Sequence, residues 1–276
     1  MTSILSIPRG SIQGRYDVDV RPIRVLEIVL AGIILGAGAY WGIGAIRERD
    51  QTARTTPEFD PPVLAGQDVP GACSGGFYAR TETTIVLTIV AHCGGVPGRT
   101  LYDGPGRYIG TFGPIAELTD CPTGRFCSPS DFMVLALAAD QIPWGHLNMV
   151  DLGVGGYRTF GPGVRARACG DISVGQLVEL NGREHFRAGT VVATGPYQHA
   201  TDTMFPCMIV TDIEVAVGDS GSAVLVDGLP AGVTSRNVGG RLAFTPLAEG
   251  LENLGLTLCT TPDCDLSPDR AVQPAP

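Results

Sequence analysis

The sequence predicts an all-β fold carried behind an N-terminal transmembrane helix, on three observations. From Cys73 onward the chain is a succession of short β-branched and apolar runs punctuated by glycine, proline and aspartate. Glycine (38) and proline (21) are abundant while aromatic residues make up only 7% of the chain, which suits short strands joined by many tight turns. Ahead of that region, residues 25–46 form an apolar stretch with a single charge, Glu27.

At 1.5 Å per residue, a helix over 25–46 is about 33 Å long and matches a hydrocarbon core of about 30 Å. Tyr40 and Trp41 stand towards its far end, where interfacial aromatics are favoured. The apolar run continues past the small-residue site Ala37-Gly38-Ala39 and follows a long leader, so it reads as an uncleaved signal-anchor rather than a cleaved signal. Residues 1–24 are then cytoplasmic. Gly32-x-x-x-Gly36 and Gly38-x-x-x-Gly42 let two such helices approach, which predicts a weak homodimer through the span. Residues 47–70 carry Pro57, Pro61, Pro62 and Pro70 without any apolar period and read as an extended linker.

Residues 71–258 form the β domain, long enough for a medium two-barrel unit. Residues 84–90 are too apolar to alternate and read as a core strand. Further short strands are expected over 132–138, 176–180, 189–194, 208–213 and 223–226, with a turn-rich connection at 153–163. The tail, 259–276, ends in a polar, proline-rich segment after Cys264 and reads as disordered there.

The net charge is −9, all 19 basic residues are arginine, and no basic stripe relieves the acidity, so a nucleic-acid partner is excluded. The eight cysteines are even in number, lie outside 25–46 and show no paired C-x-x-C metal pattern. They predict disulfides in an oxidising space, and hence a β domain held outside the cytoplasm at the cell membrane. Eight cysteines allow 105 pairings. Short local loops favour Cys121–Cys127 and Cys259–Cys264.

Chemistry concentrates in Gly218-Asp219-Ser220-Gly221-Ser222, with Ala91-His92-Cys93 and Ser130-Asp131-Phe132 upstream. A serine hydroxyl is a poor nucleophile at neutral pH; it needs an imidazole to take its proton and a carboxylate to orient that imidazole. Singly the motifs are common: Gly-Asp-Ser-Gly occurs in turns, a histidine beside cysteine is often packing, and Asp131 reads as a turn residue. Together, in the order His92, Asp131, Ser220, they point to hydrolysis through an acyl-enzyme, which requires no metal or cofactor. His146, His185 and His199 read as surface residues, and Asp140, Asp151 and Asp212 are weaker competitors for Asp131.

At these residues the chain resembles the chymotrypsin-like serine proteases, in particular their compact, secreted, streptogrisin-like bacterial branch. Cys73-Ser74-Gly75-Gly76-Phe77 with His92-Cys93 is similar to that branch's first disulfide hairpin, and residues 245–256 to its closing strand and helix. The resemblance implies two packed six-stranded antiparallel β-barrels. It implies His92 as general base, Asp131 as its orienting carboxylate, Ser220 as nucleophile, and the N–H groups of Gly218 and Ser220 as oxyanion hole. It also implies a Cys73–Cys93 disulfide, which leaves Cys169–Cys207 as the remaining pair. Asp219 is implied to turn inward to a cation. No Ile-Val-Gly-Gly-like activation sequence precedes Cys73, so that cation is expected to be an internal arginine such as Arg158, Arg165 or Arg187.

The chain departs from the family at the specificity pocket. Glu214 stands where one half of a disulfide is implied, and residues 235–240 lack the other half. The expected lining or flanking positions are Glu214, Val217, Thr234, Ser235, Arg236 and Asn237, with Thr234-Ser235 pairing with substrate backbone, Ser235 also supporting Asp131, and Glu214 facing away. The expected function is a membrane-anchored, extracytoplasmic serine endopeptidase acting on peptides or proteins. Two alternatives stand beside it: a catalytically silent peptide-binding domain, favoured by Arg236 and Asn237 in place of small glycines, and a non-proteolytic esterase.

Overall fold

A computed structural model describes residues 63–69, 73–116, 126–127, 131–182, 186–200 and 203–266. In chain order the strands are β1 (Tyr78–Arg80), β2 (Ile85–Val90), β3 (Thr100–Tyr102), β4 (Tyr108–Ile115), β5 (Phe126–Cys127), β6 (Phe132–Leu137), β7 (Met149–Asp151) and β8 (Tyr157–Thr159). There follow β9 (Leu177–Asn181), β10 (Phe186–Ala200), β11 (Thr203–Glu214), β12 (Ala223–Val226), β13 (Leu229–Val238), β14 (Arg241–Pro246), helix α1 (Leu247–Asn253) and β15 (Thr257–Leu258).

The first sheet has the order β15-β1-β2-β6-β4-β3. Its centre is β2, every residue of which is buried; a strand covered on both faces has no reason to alternate. The one polar residue there, Thr88, is satisfied because its hydroxyl accepts from the Phe77 N–H at 2.7 Å. The second sheet runs β10-β9-β12-β13-β14-β11, and pairing of β10 with β11 closes it into a six-stranded barrel. The expectation of two closed antiparallel barrels is met only in part. Among the described residues, no pairing joins β15 to β3. The short β5 adds to the edge of β11 in parallel, and β7 with β8 forms a separate hairpin. A single large apolar cluster packs the first sheet against β12, β13 and α1, including Leu225, Val233, Leu247 and Leu251. Gly250 brings α1 down onto the ring of Phe132, because a Cβ there would stand 2.5 Å from that ring.

Both expected domain boundaries move outward. Residues 63–69, inside the expected linker, belong to the β domain: Val63, Leu64, Ala65 and Val69 are buried. The Gly66 N–H donates to Gly75 O at 2.9 Å, and the Asp151 N–H donates to Ala65 O at 2.8 Å. The flanking prolines masked this short apolar run, and the expected spacer shrinks to 47–62. At the other end, residues 259–266 are not tail. The Cys259–Cys264 disulfide closes a small loop whose Pro262 and Asp263 accept backbone N–H bonds from Leu147 and Gly145. The segments 1–24 and 25–46, the expected homodimer contact through the latter, Cys121 and with it the expected Cys121–Cys127 bond, and residues 267–276 lie outside the described residues. Among the described residues, no helix is long and apolar enough to cross a membrane.

Candidate active site

Antiparallel pairing of β2 with β6, in which Val90 faces Phe132, places the residues after β2 beside those before β6. His92 therefore meets Asp131. A 3-10 turn over Ala91–Cys93, ended by Gly94 in the left-handed region, carries the imidazole out of the strand. Three bonds clamp this turn to Asp131: the Ala91 N–H to Asp131 O at 2.8 Å, the His92 N–H to Oδ1 at 3.0 Å, and His92 Nδ1 to Oδ2 at 2.5 Å. From the second sheet, the Ser235 hydroxyl donates to the same Oδ2 at 2.7 Å. With its Nδ1–H committed to Asp131, His92 presents Nε2 to the Ser220 hydroxyl at 2.7 Å. The structure thus joins Ser235, Asp131, His92 and Ser220 in one hydrogen-bonded series.

Ser220 lies in the loop between β11 and β12, where Gly218 and Gly221 have φ of +97° and +86°. Gly221 passes against the Ser74 carbonyl so closely that no side chain fits. Ser74 is the residue sequence reasoning missed. Its N–H donates to Ser220 O and its hydroxyl to Gly218 O, both at 2.9 Å. With those two carbonyls drawn to Ser74, the N–H groups of Gly218 and Ser220 have no hydrogen-bond partner among the described residues. The Cys73–Cys93 disulfide links the neighbour of Ser74 to the neighbour of His92. One covalent staple therefore ties the Ser220 loop to the histidine turn.

Asp219, 1% exposed, turns inward. One oxygen pairs with Arg187 Nη2, and the other accepts from the Ala216 N–H at 2.7 Å. Arg187 also donates to the Glu214 carbonyl at 2.6 Å, so it braces both ends of the loop. Of the three arginines expected as partners, Arg158 pairs with Glu179 instead and Arg165 lines a separate surface pocket. Gly182 is required where it stands, since a Cβ there would overlap both Asp219 and Arg187. The described disulfides also include Cys169–Cys207, which ties the turn before β9 to β11.

Beside Ser220 opens a pocket of about 570 Å³. Five of the six expected positions line it: Val217, Thr234, Ser235, Arg236 and Asn237. Val215 and Ala216 complete the wall against His92 and Ser220; both lie in the loop just before Gly218, a run with no motif of its own to flag them. Glu214 is exposed and not among the lining residues. Val217, 93% exposed, forms the outer lip.

Burial alone raises the Asp131 carboxyl, but the bond from His92 Nδ1–H, the imidazole charge, the Ser235 hydroxyl and the His92 backbone N–H outweigh it and hold the group below its ordinary range. A carboxyl held below its unfolded value adds stability that is present above the unfolded pKa, about 3.9, and is lost as pH falls through the folded value. The stability gap between wild type and Asp131→Asn should therefore narrow as pH drops below about 4, which urea titrations across that range will show. Arg187→Gln leaves Asp219 as an unpaired buried charge and should cost about 3–5 kcal/mol of stability, measured by denaturant unfolding; a loss under about 1 kcal/mol would deny the pair its structural role.

No family model and no curated protein matches the chain. Solved structures do. The chain is 25% identical to Cellulomonas bogoriensis chymotrypsin, covering 72% of this chain and 100% of that one with a TM-score of 0.54. It is 24% identical to a glutamic acid specific serine protease described as using a histidine triad in substrate binding, over 71% of this chain and 100% of that one, again with a TM-score of 0.54. Thermobifida fusca protease A matches at 21% identity over 71% and 98% of the two chains, with a TM-score of 0.53. These enzymes are matched over 98–100% of their own length and 71–72% of this chain, so the chain has the fold of the bacterial chymotrypsin-like serine proteases.

Proposed function

We propose that this chain is a membrane-anchored, extracytoplasmic serine endopeptidase. The observation that carries the reading is the hydrogen-bonded series from Ser235 through Asp131 and His92 to Ser220, ending beside two N–H groups without partners among the described residues and an open pocket. Ser220 Oγ attacks the scissile carbonyl carbon while His92 Nε2 takes the hydroxyl proton. The oxyanion of the tetrahedral intermediate accepts from the Gly218 and Ser220 N–H groups, which are fixed before substrate arrives and cost no reorganisation. The intermediate collapses, the C–N bond breaks, and His92 returns the proton to the leaving amine. Water then attacks the acyl-enzyme by the same route, giving the acid and free Ser220. Asp131 holds the Nδ1–H tautomer and stabilises the imidazolium formed in each half.

Arg236 and Asn237, the residues that favoured a silent binding domain, line the pocket without filling it. The histidine device described for the glutamic acid specific relative is not what shapes this pocket, whose one lining histidine is His92. The anchor rests on residues 25–46, with 47–62 as spacer, and the described disulfides suit an oxidising space outside the cytoplasm.

A fluorophosphonate probe should label folded wild type at Ser220 and leave Ser220→Ala unmodified, and removing Ser220 or His92 should lower peptide turnover by about 10⁴-fold or more. Folded wild type that neither labels nor cleaves sinks the reading, and turnover confined to ester substrates makes the chain an esterase. For topology, a C-terminal epitope tag should bind antibody on intact cells and an N-terminal tag only after permeabilisation; the reverse pattern refutes the orientation.

A further inference from the structure

Resting on the serine protease reading, we propose that residues 63–69, the stretch through which the spacer enters the β domain, are a positioning strap for the oxyanion-binding N–H groups, and that Gln67 is the residue that fastens it. The strap acts through Ser74. Gly75, the next residue, is held by the strap on both of its backbone groups: its N–H donates to Gln67 O at 2.8 Å, and its carbonyl accepts from the Gly66 N–H at 2.9 Å. The Val69 N–H adds a bond on the other side of Ser74, to Cys73 O at 2.7 Å. Ser74 is therefore fixed from both sides, and it is Ser74 that takes the carbonyls of Gly218 and Ser220. Gly75 is buried, so a displaced strap would leave its N–H and carbonyl without partners. The bonds that seat the strap thus keep Ser74 within reach of the Ser220 loop.

The strap is anchored in turn by residues far along the chain. Asp151, at the end of β7, donates its N–H to Ala65 O at 2.8 Å and accepts the Gln67 side-chain amide on Oδ2 at 2.7 Å. Asn181, at the end of β9, donates to Gly66 O at 3.3 Å, and its neighbour Gly182 is the residue packed against Asp219 and Arg187. Gly66 has a φ of +87°, and a Cβ there would stand 2.3 Å from Asp151 O, so the strap passes β7 with no room for a side chain. Val63 and Val69 are buried in the large apolar cluster, where the Tyr78 hydroxyl donates to Val63 O. Of these bonds, Gln67 to Asp151 is the one between two side chains, so substitution can break and remake it without touching the backbone. The Asp151 Oδ1 accepts from the Gly153 N–H at 2.7 Å. An asparagine at 151 keeps that bond through its oxygen and turns Nδ2, a donor, towards residue 67.

The test uses the full-length chain, the peptide it cleaves fastest from an internally quenched library, and a peptide boronic acid of the same sequence. The tetrahedral adduct of the boronic acid with Ser220 places an oxygen where the oxyanion forms. Gln67→Glu sets two carboxylates against each other and should lower kcat about tenfold or more with KM little changed, as expected when donors are displaced. Affinity for the boronic acid should fall by the same factor. Gln67→Glu combined with Asp151→Asn restores the bond with donor and acceptor exchanged, and should recover most of both. Ser74→Ala should reproduce the loss, and adding Gln67→Glu to it should cost little more, because both act through one group. Thermal midpoints establish that each variant is folded. If Gln67→Glu does not fold, Gln67→Ala, which removes the bond without adding a charge, is read in its place by kcat and by its coupling to Ser74→Ala. A folded Gln67 variant with wild-type kcat, a loss confined to KM, a loss that the exchanged pair leaves unrecovered, or losses that multiply with Ser74→Ala each overturn the inference and leave the protease reading standing. A wild type that neither cleaves nor labels overturns both.

Discussion

The Asp131 carboxylate is the point on which the two sheets depend. It sits 4% exposed at the head of β6, where an ionised group is expensive unless its oxygens are engaged. Two engagements come from the histidine turn of the first sheet, and the third, the Ser235 hydroxyl, comes from β13 of the second. That third bond fixes β13 against the histidine, and with it the strand that carries Thr234, Arg236 and Asn237. An uncommitted oxygen here would cost stability directly, so the site's geometry and the packing of the sheets are maintained by the same interaction.

A second set of constraints shapes the loop of Ser220, and it works on the backbone rather than on side chains. Two carbonyls of the loop are drawn inward by Ser74, and the Asp219 side chain is drawn inward by Arg187. What remains facing outward is the Gly218 and Ser220 N–H pair and the Ser220 hydroxyl. Arg187 comes from within the chain, from the start of β10. The loop therefore takes its shape from groups already present once the β domain has folded, with Asp219 held by Arg187 and the Ala216 N–H. Gly182 and Gly221 are the spaces that these inward contacts occupy.

The pocket differs in kind from the site it adjoins. Ser220, His92, Asp131 and Ser235 are joined by hydrogen bonds, whereas Arg236 in the pocket wall lies over an apolar cluster. Phe205 belongs to a small cluster with Met208 and Ala243, and Arg236 lies over its ring. Glu214 is exposed and lies outside the pocket lining, while Arg187 holds its carbonyl.

The sequence by itself determined the β class and the set His92, Asp131 and Ser220 that the fold brings together. Those follow from local information: β-branched runs, glycines at positive φ and a set of residue types that only act together. Resemblance to a known family also supplied five of the pocket's positions, Val217 beside the motif and Thr234, Ser235, Arg236 and Asn237 on β13. Tertiary structure decided the rest, for a common reason: the missing facts are contacts between segments far apart in the chain. Nothing local distinguishes Arg187 from Arg158 or Arg165 as the partner of Asp219; the choice is made where β10 passes Gly182. Ser74 gains its role only when the Cys73 turn meets a loop 144 residues later. Residues 63–69 and 259–266 read as linker and tail because their apolar and backbone partners, at 75, 145, 147 and 151, are invisible to any local pattern. That Glu214 is exposed and outside the pocket lining was likewise decided by the strand pairing around it and not by residue type.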